Sequence, residues 1–353
     1  MSSKWCKNPK TGPSFRLSKY LIDEKSIPIS RNYFKHLQFN ESKLRKKKKK
    51  KKRKGYRIPN SKETMSSKEV QEAFTANTCL TLSNGQKIPQ IQLGVWESYD
   101  EECYNAVKWA LEAGYRGIDS AEWYENEAVC GRAINEYLTA TSTPRSSIFF
   151  TTKLRNNVSY SETRSAIKRS LKECNLGYID LYLIHAPYGG PIIREEIYRA
   201  VVDAVKEGEV KGWGVSNYGI RHLQEIFDKF PDYPPLVNQI ELNPFNTQSN
   251  IVEFCRRHSI VLQAYTPLAK SGRFENEVLK EVAGRYEGKG SAEVMIKWGL
   301  QEGFVSLPKS VTKGRIVGNL RGSEGWGLEE EDMVKLRGLD EHLVTEWDPT
   351  DCP

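Results

Sequence analysis

The chain has 353 residues, 38% of them hydrophobic and 28% charged. That supports one large domain or two ordinary ones beneath a strongly polar surface. The longest apolar stretches, such as 179–184, fall far short of the ~18–20 residues a membrane-spanning helix needs, which excludes one. Seven cysteines with no CxxC spacing argue against a disulfide scaffold or a structural zinc site, and for free thiols in a reducing setting.

The net charge of +8 averages two unlike regions. Residues 1–64 hold 21 lysines and arginines against 4 acidic residues, whereas 65–353 hold 32 basic and 41 acidic residues. Ten consecutive basic residues run from Arg45 to Lys54. Such a block repels itself and forms no core, so 1–64 read as a disordered Lys-rich extension. A nuclear address or a contact with nucleic acid or anionic membrane is one use for it. Lysine dominance and acidic residues do not suit a mitochondrial presequence, and no signal-peptide core precedes it. The bland reading is a misplaced start codon, because Met65 opens an ordinary "MSSKEVQEAF" ahead of the folded region.

Folding signals begin at "CLTLSNGQKIP", where Asn84-Gly85 between apolar positions predicts a hairpin with a type I′ turn. Short apolar or β-branched runs then recur at 91–93, 115–119, 148–153, 179–185, 212–216, 236–239, 261–265 and 305–309. Helical patterns at 100–113, 161–174, 195–208, 220–230, 249–258 and 291–299 separate them. An additional helix is predicted at 275–286, and the tail from about 329 carries one more before an irregular end. This alternation predicts an α/β fold, a (β/α)8 barrel over 65–353 with an N-terminal hairpin, extra helices and a C-terminal tail over the mouth. A doubly wound sheet would need a glycine-rich nucleotide fingerprint, and the chain has no GxGxxG.

In such a barrel the chemistry sits at the C-terminal strand ends. Here those ends are polar: Asp119 with Tyr124 beyond it, Lys153, His185, Ser216-Asn217, Gln239, Tyr265-Thr266 and Lys309-Ser310. Singly, each has a plain reading as a cap or a core residue. Together, Asp119, Tyr124, Lys153 and His185 suit proton donation to a carbonyl. A free tyrosine is too weak an acid near neutrality, and an ammonium beside it lowers that barrier. Lys153 would supply the charge, Asp119 would pair it, and His185 would orient the carbonyl oxygen.

Seven ordered segments carry a resemblance: "GYRGIDSAEWYENE" (114–127), "TTKL" (151–154), "DLYLIHAP" (180–187), "GVSNYG" (214–219), "NQIELNPF" (238–245), "AYTPLAK" (264–270) and "LPKSVTKGRI" (307–316). From about Leu80 onward the chain resembles the aldo-keto reductases. The resemblance implies reduction of an aldehyde or ketone by hydride from NADPH, with NADPH favoured over NADH and no metal. It implies Tyr124 as general acid with Lys153, Asp119 and His185 around it. The nicotinamide carboxamide would be held by Ser216, Asn217 and Gln239, with its ring on Tyr265. The pyrophosphate would run over Thr266, Leu268 and Lys270. The 2′-phosphate would meet Lys309, Ser310 and Arg315, and Asn319 would lie near the adenosine. Two cations and a hydroxyl also suit a dianionic phosphate on chemical grounds.

Trp96, Trp123 and Trp347 are candidate pocket walls, with core packing as the plain alternative, while Trp213 is out of phase and faces the helices. The form "HAPYGG", with Ala186 where many members have tryptophan, and the tail "LVTEWDP" resemble a fungal, xylose-reductase-like branch. Gly318 replaces a glutamate that often contacts adenine. The implied setting is a cytoplasmic monomer acting on a small carbonyl compound, with nucleic acid met only through the lysine run. A cofactor-binding sensor without catalysis is the competing reading of the same fold.

Overall fold

The computed structural model describes residues 74–353, and what the sequence predicts for 1–64 lies outside them. Strands β1 (Cys79–Thr81) and β2 (Lys87–Pro89) pair antiparallel, with Leu80 opposite Ile88. Their turn is not type I′, which needs positive φ at both central residues. Gly85 has φ +91° while Asn84 is not left-handed. The Leu82 amide donates to Gln86 O at 2.9 Å, and Gly85 N donates to Leu82 O at 2.9 Å. This is a three-residue loop ending on a left-handed glycine. The three-residue form needs positive φ at Gly85 alone, which glycine adopts freely. The loop is docked on the barrel: Asn84 Nδ2 donates to Lys211 O at 3.4 Å and Gln86 Nε2 to Asp180 O at 3.0 Å. Both carbonyls precede barrel strands, so the hairpin sits at the N-terminal end, away from the chemistry.

The barrel strands are β3 (Leu93–Gly94), β4 (Gly117–Asp119), β5 (Phe149–Leu154), β6 (Leu181–Ile184), β7 (Trp213–Ser216), β8 (Val237–Glu241), β9 (Val261–Tyr265) and β10 (Val305–Leu307). They pair in parallel in chain order. The ring closes between first and last, where Gly94 N donates to Pro308 O at 3.2 Å and Ser306 N to Gln90 O at 2.9 Å. Every residue of β4 to β8 is buried, as parallel strands under a helical shell must be.

The helix Asp100–Ala113 lies where it is predicted, with Asp100, Glu101 and Glu102 complementing its N-terminal dipole. The helix after β6 spans Gly190–Lys206, starting earlier than the predicted 195. Pro191 in its first turn removes no needed hydrogen bond, so "GGP" opens a helix rather than prolonging a loop. Helices Glu127–Thr141 and Lys313–Arg321 are additional to the predicted ranges. Glycines at 131, 314 and 318 weaken their helical signal. Gly131 serves packing: a Cβ there would lie 1.8 Å from Cys174 O, so this helix and Tyr160–Cys174 meet backbone to backbone.

Helix Glu277–Gly284 is the extra element after β9, ahead of the crossover helix Ser291–Gln301. Helix Glu330–Arg337 precedes the tail. Trp213 packs outward, its indole N–H donating to Pro234 O at 3.0 Å. No helix among the described residues is long and apolar enough to cross a membrane.

Candidate active site

Asp119 ends β4, Lys153 lies near the end of β5, and His185 follows β6 directly. Tyr124 sits on the short 3-10 turn Glu122–Tyr124 beyond β4. That turn is fastened from below. Ser120 Oγ donates to Asn126 Oδ1 at 2.7 Å, and Asn126 Nδ2 donates to Val95 O and Ser98 O, each at 2.9 Å. Arg155 N donates to Glu122 Oε2 at 3.1 Å.

Lys153 is 0% exposed and Asp119 4%. The ammonium donates to Asp119 Oδ1 at 2.6 Å, to Ser120 O at 2.7 Å and to Tyr124 Oη at 3.3 Å. Burial alone would lower the Lys153 pKa, but Asp119 and Tyr124 outweigh it and hold the value above the ordinary one. The ammonium is therefore a fixed charge beside the phenol.

Tyr124 is half-buried, and its pKa moves opposite to the expectation drawn from Lys153 alone. Burial raises it, Lys153 lowers it by charge and hydrogen bond, Asp119 pushes it up again, and the net is upward. The sequence names the cation but not the depth of burial. A raised value keeps the proton on the oxygen at neutral pH, and Lys153 stands ready to stabilise the phenolate.

His185 is buried, and burial first, then the Lys153 charge, holds its pKa well below the ordinary value. It is a neutral imidazole whose Nδ1 has no partner among the described residues. Its ring stands edge-on to Tyr124 at 5.8 Å, Trp123 at 5.5 Å and Trp347 at 6.1 Å. Tyr188 adds a ring 5.7 Å from Trp347. Trp123 and Trp347 therefore line one aromatic mouth around the polar group. Trp96 has no ring contact with this cluster. It is half-exposed and faces Lys270, whose Nζ lies 5.0 Å from its ring centroid.

Residues 90–341 match the model of the Aldo/keto reductase family. This chain belongs to the aldo/keto reductase family. It is an oxidoreductase. An uncharacterised oxidoreductase of Schizosaccharomyces pombe is 44% identical over 272 residues, covering 77% of this chain and 97% of the relative. The methylglyoxal reductase DkgA of Escherichia coli is 37% identical over 268 residues, covering 75% of this chain and 94% of the relative. Among solved structures, a Bombyx mori aldo-keto reductase in complex with NADP superposes with TM-score 0.72 at 30% identity, covering 78% of this chain and 97% of that one.

In this aldo-keto reductase Ser216 ends β7, Asn217 follows it, and Gln239 and Tyr265 lie on β8 and β9. Ser216 Oγ donates to Gln239 O at 2.8 Å. Asn217 Nδ2 donates to His185 O at 3.0 Å, and Tyr265 Oη donates to Asn217 Oδ1 at 2.8 Å. Gln239 Nε2 donates to Asp119 Oδ2 at 2.8 Å, tying this group to the Lys153 cluster.

Thr266 has φ +47°, Leu268 packs against the core, and Lys270 pairs with Glu346 of the tail. Lys270 therefore ties the loop after β9 to the tail. Past β10, Lys309 and Arg315 are exposed, and neither forms an ion pair with a carboxylate among the described residues. Ser310 Oγ accepts from Thr312 N at 3.1 Å at the start of helix Lys313–Arg321. Lys309 Nζ donates to Glu97 O at 3.2 Å. Two cations without a carboxylate partner, close in sequence to a hydroxyl and a helix N-terminus, are groups that suit a phosphate. Asn319 lies on the same helix, 9% exposed, and a Cβ at Gly318 would meet nothing within 4 Å.

Sequence reasoning missed the residues that act by holding others. Tyr188 joins the aromatic mouth, and Asn157 Nδ2 fastens its loop by donating to Ala186 O at 2.6 Å and Tyr188 O at 3.0 Å. Buried Glu241 accepts from Thr345 N at 3.1 Å and so anchors the tail. The signal for Glu241 was present: it lies two residues after Gln239 on one strand, hence on the same face.

Proposed function

We propose that this chain reduces an aldehyde or ketone to the alcohol with NADPH, with Tyr124 as general acid. The observation that carries the reading is Lys153, buried between Asp119 at 2.6 Å and the Tyr124 hydroxyl at 3.3 Å. An ammonium so placed stabilises the phenolate left when Tyr124 gives up its proton. The cofactor supplies the hydride. Neutral His185 donates a hydrogen bond that orients the carbonyl oxygen toward Tyr124. Trp123, Trp347 and Tyr188 exclude water from that oxygen. Ser216, Asn217 and Gln239 hold the carboxamide, and Tyr265 supports the ring. Lys309, Ser310 and Arg315 take the 2′-phosphate, which favours NADPH over NADH.

The substrate class is a small aldehyde or ketone, with an aldose such as xylose among the candidates. One relative's name, methylglyoxal reductase, adds an α-oxo aldehyde to them. We take the working unit to be a cytoplasmic monomer. The test follows loss of NADPH absorbance with xylose, glyceraldehyde, methylglyoxal, an aromatic aldehyde and an α-keto ester. Turnover is expected on at least one, and Tyr124→Phe is expected to lower kcat by about 100-fold or more while NADPH still binds. Normal turnover by Tyr124→Phe would remove it from the acid role, and no turnover by the wild-type protein on any of the panel would sink the reading.

A further inference from the structure

The Gln239 side-chain nitrogen makes two hydrogen bonds, one to Asp119 Oδ2 at 2.8 Å and one to Gln263 Oε1 at 3.0 Å. Both of its amide hydrogens are therefore taken up inside the barrel. Gln239 Oε1 has no donor among the described residues. Gln263 lies on β9 directly across from Gln239 in the β8–β9 register and is 0% exposed. Its own Nε2 is buried without a partner.

The sense of this chain is set from both ends. Asp119 is paired with the Lys153 ammonium, so its carboxylate only accepts. Turning the Gln263 amide over would set one NH2 against another. A buried glutamine that leaves its own nitrogen unsatisfied carries a penalty for doing so. What it achieves is to fix a neighbouring amide that faces the site.

We propose that Gln263 is a positioning residue. By accepting the second N–H of Gln239, it leaves only that residue's carbonyl oxygen for the nicotinamide carboxamide, so the site selects a ligand group that donates there. This rests on the reading above that a nicotinamide cofactor lies against Gln239. It adds the direction of the hydrogen bond and a second residue, beside Asp119, that sets it.

The test uses the full chain and quenching of tryptophan fluorescence, which reports binding without turnover. NADPH is compared with its 3-acetylpyridine analogue, whose methyl ketone can accept a hydrogen bond but cannot donate one. The wild-type protein is expected to bind NADPH about 5–10-fold more tightly than the analogue, the worth of one such bond. Gln263→Met, which removes the acceptor, is expected to shrink that ratio to about 2-fold or less. Gln263→Glu keeps an oxygen acceptor there and is expected to retain the preference.

If Gln263 only fills space, Gln263→Met weakens both ligands by the same factor, and that result overturns the proposal. A wild-type ratio near one overturns it without any variant, so the proposal stays testable should Gln263→Met fail to fold. Absence of NADPH binding by the wild-type protein would instead overturn the proposed function, and this inference with it.

Discussion

Lys153 shows how one residue decides the character of the site. A fully buried lysine ordinarily gives up its charge. Here Asp119 and Tyr124 reverse that tendency, and the price is a carboxylate locked in the barrel. At the other end of the proposed cofactor site, Arg315 stands exposed with no acidic partner among the described residues. A charge-assisted contact to a phosphate contributes about 1.5–3 kcal/mol, roughly 10–100-fold in affinity. Arg315→Ala is therefore expected to weaken NADPH by at least about 10-fold and NADH by less than about 2-fold in fluorescence titration. Equal losses for the two cofactors would count against the 2′-phosphate assignment. Both residues can be picked out of the sequence. Neither the upward shift of Tyr124 nor the lack of a counter-charge at Arg315 can be, because both depend on neighbours brought in by folding.

The element that most changes the site is the tail. Thr345 is tied to Glu241, Glu346 pairs with Lys270, and Trp347 stands against Trp123 and His185. Lys270 in turn covers Trp96, so β9's loop, the tail and the loop after β3 meet across the mouth. Opening this strap is expected to ease release of anything bound beneath it. Glu346→Gln removes one partly exposed ion pair, a change of up to about 1 kcal/mol, so NADPH should dissociate about 2–5-fold faster in stopped-flow fluorescence. An unchanged rate would mean that the strap does not span the cofactor path. The tail motif "LVTEWDP" signals an unusual segment, but its partners lie far away in sequence, and only closure of the barrel brings them together.

Among the described residues, the hairpin and the proposed chemistry occupy opposite ends of the barrel. The hairpin binds carbonyls ahead of β6 and β7, while Asp119, Lys153 and His185 cluster at the far ends of their strands. That division is general for this architecture. All the proposed chemistry falls after Met65, in the acidic part of the chain. Protein starting at Met65 is accordingly expected to match the full chain within about 2-fold in kcat/KM, a change within the scatter of remote deletions. A large drop in kcat/KM would assign residues 1–64 a part in the reaction or in folding.

The order of the strands and of most helices was legible in the sequence because alternating buried runs and amphipathic stretches leave a local periodic trace, whereas Glu127–Thr141 and Lys313–Arg321, interrupted by glycines, were not. That Asp119, Lys153 and His185 gather with Tyr124 at one end was also foreshadowed, since polar residues at or just past buried runs stand out against apolar neighbours. Tertiary structure alone decided the rest. Asp119 and Gln239 are 120 positions apart and Gln239 and Gln263 24 apart, so no local pattern links them. The hairpin's side chains reach Lys211 and Asp180, 127 and 94 positions away in the sequence. Periodicity records which side of an element is buried. Which atoms meet inside, and which way their hydrogen bonds run, follows only from closing the ring.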